Sequence, residues 1–187
     1  MQDWHDLAAL LGPGGLADMF SSPATPPPDW APVFTVTGLQ LVGPEDPQST
    51  VAPPRAERSD VRRLGPEDVP DMLDLVASTA PGPFWPRTIE MGTYLGVREG
   101  GRLVAIGGVR VRPEGWSEIS AVCTAHEARG RGLAGQVVGA LVDEIHRTGD
   151  RPFLHVLSGN TGALALYERL GFSVRREVVF RGFRVPG

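Results

Sequence analysis

The stretch Glu118-Ile-Ser-Ala-Val-Cys-Thr-Ala-His-Glu-Ala-Arg-Gly-Arg-Gly-Leu-Ala-Gly135 decides how this chain is read. Ile119 to Cys123 are apolar or small, and the run is long enough for a buried strand. Arg129 to Gly132 is a turn with two glycines. From Leu133 onward the apolar period becomes helical, with Leu133, Val137, Ala140, Leu141 and Ile145 on one face. A strand therefore ends in a glycine turn that opens a long helix. The first turn of such a helix carries free backbone N–H groups and the positive end of the macrodipole. Glycines at 130 and 132 leave no side chain to hold a phosphate away from those groups. The stretch predicts an anion site.

Two motifs overlap on it. Gly130-Arg-Gly132-Leu-Ala-Gly135 is G-x-G-x-x-G, the dinucleotide fingerprint of many oxidoreductases. That fingerprint also wants a carboxylate after the next strand, about 20 residues on, to hold a ribose. The next strand is predicted over Pro152 to Leu157, and Ser158-Gly159-Asn160 follows it with no carboxylate. The same loop spells Arg-x-x-Gly-x-Ala with Arg129, Gly132 and Ala134. Downstream comes Asn160-x-x-Ala163-x-x-x-Tyr167-Glu-x-x-Gly171-Phe172, on the helix after that strand. In this order and on these elements, the two motifs resemble the GNAT superfamily of N-acetyltransferases. The resemblance covers residues 60–187 and is strongest over 118–172.

The resemblance implies acetyl-CoA as co-substrate, no metal, and direct transfer to a primary amine acceptor, a small molecule or a peptide. It implies that Arg129, Gly130, Arg131, Gly132, Leu133, Ala134 and Gly135 cradle the pyrophosphate. Val122, Cys123 and Thr124 would pair the pantetheine arm as a strand edge. Asn160 would bond the pantetheine or pyrophosphate, and Tyr167 would protonate the departing thiolate. A phenol titrates near 10 and a thiol near 8.5, so a tyrosine hydroxyl still has its proton to give at neutral pH. Plainer readings stand beside these: Tyr167 as core, Asn160 as an N-cap, Cys123 as a small buried residue. Cys123 and His126 have no second ligand pair nearby, which argues against zinc. His5 and His146 read as surface residues.

Two residues are candidate general bases. Glu118 lies eleven positions before Arg129, a spacing similar to the glutamate of the histone-acetylating branch of the family. His155 lies five positions before Asn160, similar to the base position of the ribosomal-protein branch, where a glutamate stands instead. Glu118 is preferred. An amine with a lysine-like pKa is neutral in only ~1 molecule in 2,500 at pH 7, an α-amino group in about one in ten. For the acceptor pocket the family points to Phe84, Trp85 and Arg87; simple packing of the two aromatics is the alternative. A non-catalytic acyl-CoA-binding or sensing module is the rival function.

Composition sets outer limits. The chain has 187 residues, is 41% hydrophobic and 21% charged, and carries a net charge of −4. That is ordinary for a globular protein and, with no basic block, argues against nucleic acid. All 18 basic residues counted as Lys or Arg are arginines. A chain without lysine has no Schiff-base lysine and no P-loop lysine. One cysteine allows no internal disulfide, which fits a reducing cytoplasm. The acidic start Met1-Gln-Asp-Trp-His-Asp does not read as a signal peptide, and no apolar run approaches a membrane span.

Residues 1–59 are expected to form an N-terminal extension. Trp4 to Leu11 suggests a short helix, Val33 to Val42 a strand broken at Gly38, and Gly43 to Arg58 a Pro-rich linker. The apolar strand is expected against the main domain or across a homodimer interface. From residue 60 the pattern is βα(α)βββαβαβ. It predicts an α/β fold with a mixed, mostly antiparallel sheet of GNAT type and helices on both faces.

Overall fold

A computed structural model describes residues 2–20, 22–45 and 60–187. Its helices are α1 (Gln2–Leu11), α2 (Val69–Thr79), α3 (Leu133–Arg147) and α4 (Thr161–Arg169). Its strands are β1 (Leu16–Phe20), β2 (Ala31–Val42), β3 (Val61–Arg63), β4 (Tyr94–Glu99), β5 (Arg102–Val109), β6 (Trp116–Thr124), β7 (Arg151–Leu157) and β8 (Ser173–Arg184). Short 3₁₀ turns stand at Pro66–Asp68, Thr88–Met91 and His126–Ala128. No helix among the described residues is long and apolar enough to cross a membrane.

All eight strands join one sheet in the order β1-β8-β2-β7-β6-β5-β4-β3. Neighbours are antiparallel except β6 and β7, which run parallel. A parallel pair needs a crossover, and α3 is that crossover. β5 reads Leu-Val-Ala-Ile-Gly-Gly-Val after its first residue, and all of these are buried. A strand without a polar face needs cover on both sides; α2 and α3 both pack on it. On α3 the periodic residues Leu133, Val137, Leu141 and Ile145 are buried, as their spacing requires.

The first 42 residues differ from the expectation. They supply two strands to the main sheet, where one strand beside it was expected. β1 carries no β-branched residue; its sequence Leu-Ala-Asp-Met-Phe gains its form from pairing with β8, Leu16 opposite Arg184 through Phe20 opposite Phe180. β2 inserts between β8 and β7 and runs without a break through Gly38. A Cβ at Gly38 would sit 2.7 Å from the Val156 carbonyl oxygen and would also strike the Phe180 ring. The glycine marks a close approach inside a strand, which is its other common meaning. A second small core of Ala17, Trp30 and Val185 seats α1 through Trp4, Leu7, Ala8 and Leu11. Ser173 to Arg184 is one strand. Most of the expected Pro-rich linker, residues 46–59, lies outside the described residues.

Candidate active site

β6 and β7 pair from Trp116 opposite Arg151 to Ile119 opposite Leu154, and no further. Yet β6 runs on to Thr124 and β7 to Leu157. The cause lies on the other edge of β6. There the register against β5 slips between Ile106 and Gly108, and Ala121 takes φ +54°. Left-handed backbone at a residue with a Cβ costs about 1–2 kcal/mol. A bulge of this kind bends its strand. The end of β6 parts from β7, and a cavity of about 840 Å³ occupies the space and extends to the start of α3.

At that end the wall is largely backbone. Gly132, at φ +78°, is the N-cap of α3, and Gly130 has φ +76°. A Cβ built on either would meet nothing within 4 Å, because both open on the cavity. The Gln136 N–H reaches the Gly132 carbonyl at 3.1 Å; the N–H groups of Leu133, Ala134 and Gly135 precede it and have no intrahelical acceptor. Gly135 lines the cavity as well, and a Cβ there would stand in ordinary contact with Leu166 of α4, at 3.7 Å. Arg129 lines the cavity and its Nε donates to the Thr124 carbonyl at 3.3 Å. Arg131 is the exception among the expected loop residues. Its guanidinium turns away to Glu99, at 2.5 and 2.9 Å, and it is not on the cavity wall.

Val122, Cys123, Thr124, Asn160 and Tyr167 all line the same cavity. Asn160 caps α4, its Oδ1 accepting from the Ala163 N–H at 3.2 Å. That leaves its amide N–H₂ to donate, so the cap and a ligand contact are compatible. The Thr124 hydroxyl oxygen is buried with no hydrogen-bond partner among the described residues. Burial pushes the Cys123 thiol up to about 11, which removes it as a nucleophile near neutral pH. Burial alone lifts the Tyr167 phenol to about 12. Its proton is retained throughout the physiological range.

The two candidate bases turn out to be one assembly. His155 Nδ1 stands 2.8 Å from Glu118 Oε1. Arg110 Nη2 donates to Oε1 at 3.1 Å and its Nε to Oε2 at 3.2 Å. Behind the histidine, Gln40 Nε2 lies 3.1 Å from His155 Nε2, and Arg175 Nη1 donates to Gln40 Oε1 at 2.5 Å. An arginine can only donate, so it fixes which end of the Gln40 amide is oxygen. The amide N–H₂ must then face His155. The imidazole therefore accepts at Nε2, carries its proton on Nδ1 and donates it to Glu118.

Within this network the two candidates are occupied differently. His155 has its one lone pair occupied by Gln40. Glu118 has about four acceptor sites and uses three, leaving one on Oε2. Glu118 is 2% exposed, and burial pushes its carboxyl up; the His155 hydrogen bond and the Arg110 charge and hydrogen bonds outweigh burial and hold it below the usual carboxylate range. Both Glu118 and His155 line the cavity.

The expected acceptor residues are elsewhere. Phe84 is buried edge-on against Tyr94, ring centroids 5.5 Å apart. Trp85 is 69% exposed, and Arg87 is spent on Glu90 at 2.7 Å. None of the three lines the cavity. The wall beyond Glu118 comes instead from Leu16, Asp18 and Phe20 of β1, Phe34 and Val36 of β2, and Phe180 of β8. Its only trace in the sequence is the spacing of Leu16, Asp18 and Phe20, too short and too mixed in character to mark a strand by itself; the place of Gly182 under the Phe34 ring, where a Cβ would clash, shows only in the sheet. His146, expected at the surface, is half-buried, with Nε2 3.1 Å from the Pro44 carbonyl.

The residues present fit coenzyme A. Open glycines and unspent N–H groups suit phosphates, a parted strand edge suits an amide-bearing arm, and the Asn160 amide N–H₂ offers a further hydrogen bond. A family model described as FR47-like protein matches residues 94–181. The uncharacterized N-acetyltransferase YobR of Bacillus subtilis is 36% identical over 80 residues, a match that spans 42% of this chain and 32% of that relative. A crystal structure of an acetyltransferase from the GNAT family of Novosphingobium aromaticivorans is 33% identical. It superposes with a TM-score of 0.85 over 98% of this chain and 81% of that one. The ribosomal-protein-S18-alanine N-acetyltransferase of Escherichia coli shares the fold at TM-score 0.55 and 18% identity, over 68% of this chain and 94% of that one.

Proposed function

This chain belongs to the GNAT family of acetyltransferases, and from that premise we propose that it transfers the acetyl group of acetyl-CoA directly to a primary amine. One observation carries the reading. The glycine-opened start of α3 and the Glu118 assembly line a single cavity, on either side of the parted ends of β6 and β7. Acetyl-CoA supplies the activated carbonyl when bound. The N–H groups of Leu133 to Gly135 and the Arg129 guanidinium hold phosphates. The β6 edge at Val122 to Thr124 pairs the amide-bearing arm, and Asn160 donates to it.

Tyr167 keeps its proton and gives a hydrogen bond to the sulfur that leaves. Glu118 stays ionised and takes the amine's proton on its open Oε2 site, directly or through a water. A carboxylate held low is a weak base, but the nitrogen's proton becomes far more acidic as the amide bond forms. His155 and Arg110 hold the carboxylate in place rather than react. The test is release of free thiol from acetyl-CoA across a panel of primary amines. Amine-dependent release supports the reading. Tight acetyl-CoA binding with no release for any amine would favour an acyl-CoA-binding module instead, and no binding at all would overturn both.

A further inference from the structure

The acceptor end of the cavity carries its own chemistry. On β1 the alternation Leu16, Asp18, Phe20 puts all three side chains on the cavity wall. Leu16, Phe20 and Val36 are 43%, 37% and 39% exposed, so large apolar surface faces this space and not the core. Phe34 and Phe180 complete the wall. Both rings are admitted by strand glycines, Gly182 under Phe34 and Gly38 beside Phe180. An apolar wall built at the cost of two interior strand glycines selects for an apolar body.

The charges select what that body carries. Two carboxylates, Asp18 and Glu118, stand at this end against one guanidinium, Arg110. The Nε and Nη2 of that guanidinium are given to Glu118, and it lies 4.8 Å over the Phe20 ring. Glu118 holds that guanidinium through two hydrogen bonds, and Asp18 feels its charge without bonding it. Burial raises the Asp18 carboxyl and the Arg110 charge offsets this only in part; a cation beside it would restore the balance. Aromatic faces next to a carboxylate are also a good setting for an ammonium. A carboxylate on the ligand, by contrast, would meet two carboxylates, Asp18 and Glu118, and would have to share the Arg110 guanidinium with Glu118.

We infer that the acceptor is a primary amine on an apolar or aromatic body with no carboxylate beside the amine, and that Asp18 is the residue that draws its ammonium in. This rests on the acetyl-transfer reading above. Calorimetric titration separates the two. The full chain is saturated with coenzyme A, so that no transfer occurs, and titrated with 2-phenylethylamine, phenylalanine and ethylamine. The expected result is 2-phenylethylamine at least tenfold tighter than either of the others. Asp18→Asn weakens it about tenfold and leaves coenzyme A affinity unchanged; Asp18→Glu retains most of it. Equal affinity for the three ligands, tighter binding of phenylalanine, or an indifferent Asp18→Asn overturns the inference alone. Failure of coenzyme A itself to bind removes the inference together with the acetyl-transfer reading on which it rests.

Discussion

The two ends of the cavity are built by different means. At the start of α3 the wall is backbone, shaped by glycines at φ +76° and +78° and by N–H groups the helix cannot use. At Glu118 the wall is side chains from β1, β2, β6, β7 and β8 and from Arg110, which follows β5, fixed by a hydrogen-bonded run from Arg175 to Arg110. Backbone recognises what any phosphate offers and tolerates sequence change outside the glycines. Side chains recognise one acceptor and depend on every partner in the run. The difference implies that binding of the acyl donor and chemistry on the acceptor can be broken separately.

The largest break is expected at Glu118. Glu118→Gln removes the open carboxylate site and should lower kcat/KM by ~10²–10⁴-fold, the usual worth of a positioned base. It also leaves the Arg110 guanidinium without its counter-charge; loss of one partner of a buried pair costs up to ~3–5 kcal/mol, so thermal unfolding should be followed alongside. The pH dependence has a definite sign. Glu118's folded carboxyl titrates below its unfolded value of about 4.3. Its contribution to stability is therefore full above that value and is lost as pH falls through the folded pKa. Activity toward an alkylamine should rise with pH as the free amine does, toward about 10.4. A separate acidic limb between pH 5 and 8 would instead make His155 the proton acceptor.

Tyr167→Phe comes next. It removes a donor whose proton is held to about pH 12, and should lower kcat by about 10²-fold with acetyl-CoA affinity unchanged. Steady-state kinetics with a calorimetric Kd check both parts; an unaltered kcat would reduce Tyr167 to core packing against Phe172. A smaller effect is expected at Gln40→Leu, which frees the His155 Nε2 lone pair without touching the cavity end of the network. The rate should fall only a few-fold, but an acidic limb from the released imidazole should enter the pH profile. An unchanged profile would show that the Gln40 contact holds no tautomer. The smallest effect belongs to Trp85→Ala, which should change the KM of any acceptor by less than about twofold, since Trp85 lies off the cavity. A large rise in KM would restore the 84–87 segment to the acceptor side.

The same contrast explains what could be read from the sequence. The donor end is local: Gly130, Gly132 and the periodic face of α3 lie within 16 residues of one another, and Asn160 and Tyr167 share one helix. Propensity and spacing reach that far. The acceptor end joins residues 16–20, 34–36, 118, 155 and 180 through sheet register, which no local pattern encodes. β1 was invisible because Leu-Ala-Asp-Met-Phe favours a strand only when β8 lies beside it. In the sequence Gly38 reads as a break, because a glycine inside a strand and a glycine ending one look alike until Phe180 is placed. Glu118 and His155 were separable candidates in sequence, 37 positions apart, and became a single pair only when β6 and β7 were laid parallel.

Calorimetry tests directly whether the acyl donor is held by the α3 backbone, independently of the Glu118 assembly. Acetyl-CoA is titrated calorimetrically into the wild type, Gly132→Val and Glu118→Gln. A Cβ at Gly132 meets no steric obstacle from the protein but must adopt φ +78° and would project into the cavity. The account predicts a Kd about tenfold or more weaker for Gly132→Val, which is about 1.4 kcal/mol, and within twofold of wild type for Glu118→Gln. A folded Gly132→Val with wild-type affinity, or a Glu118→Gln that loses the donor, would contradict it.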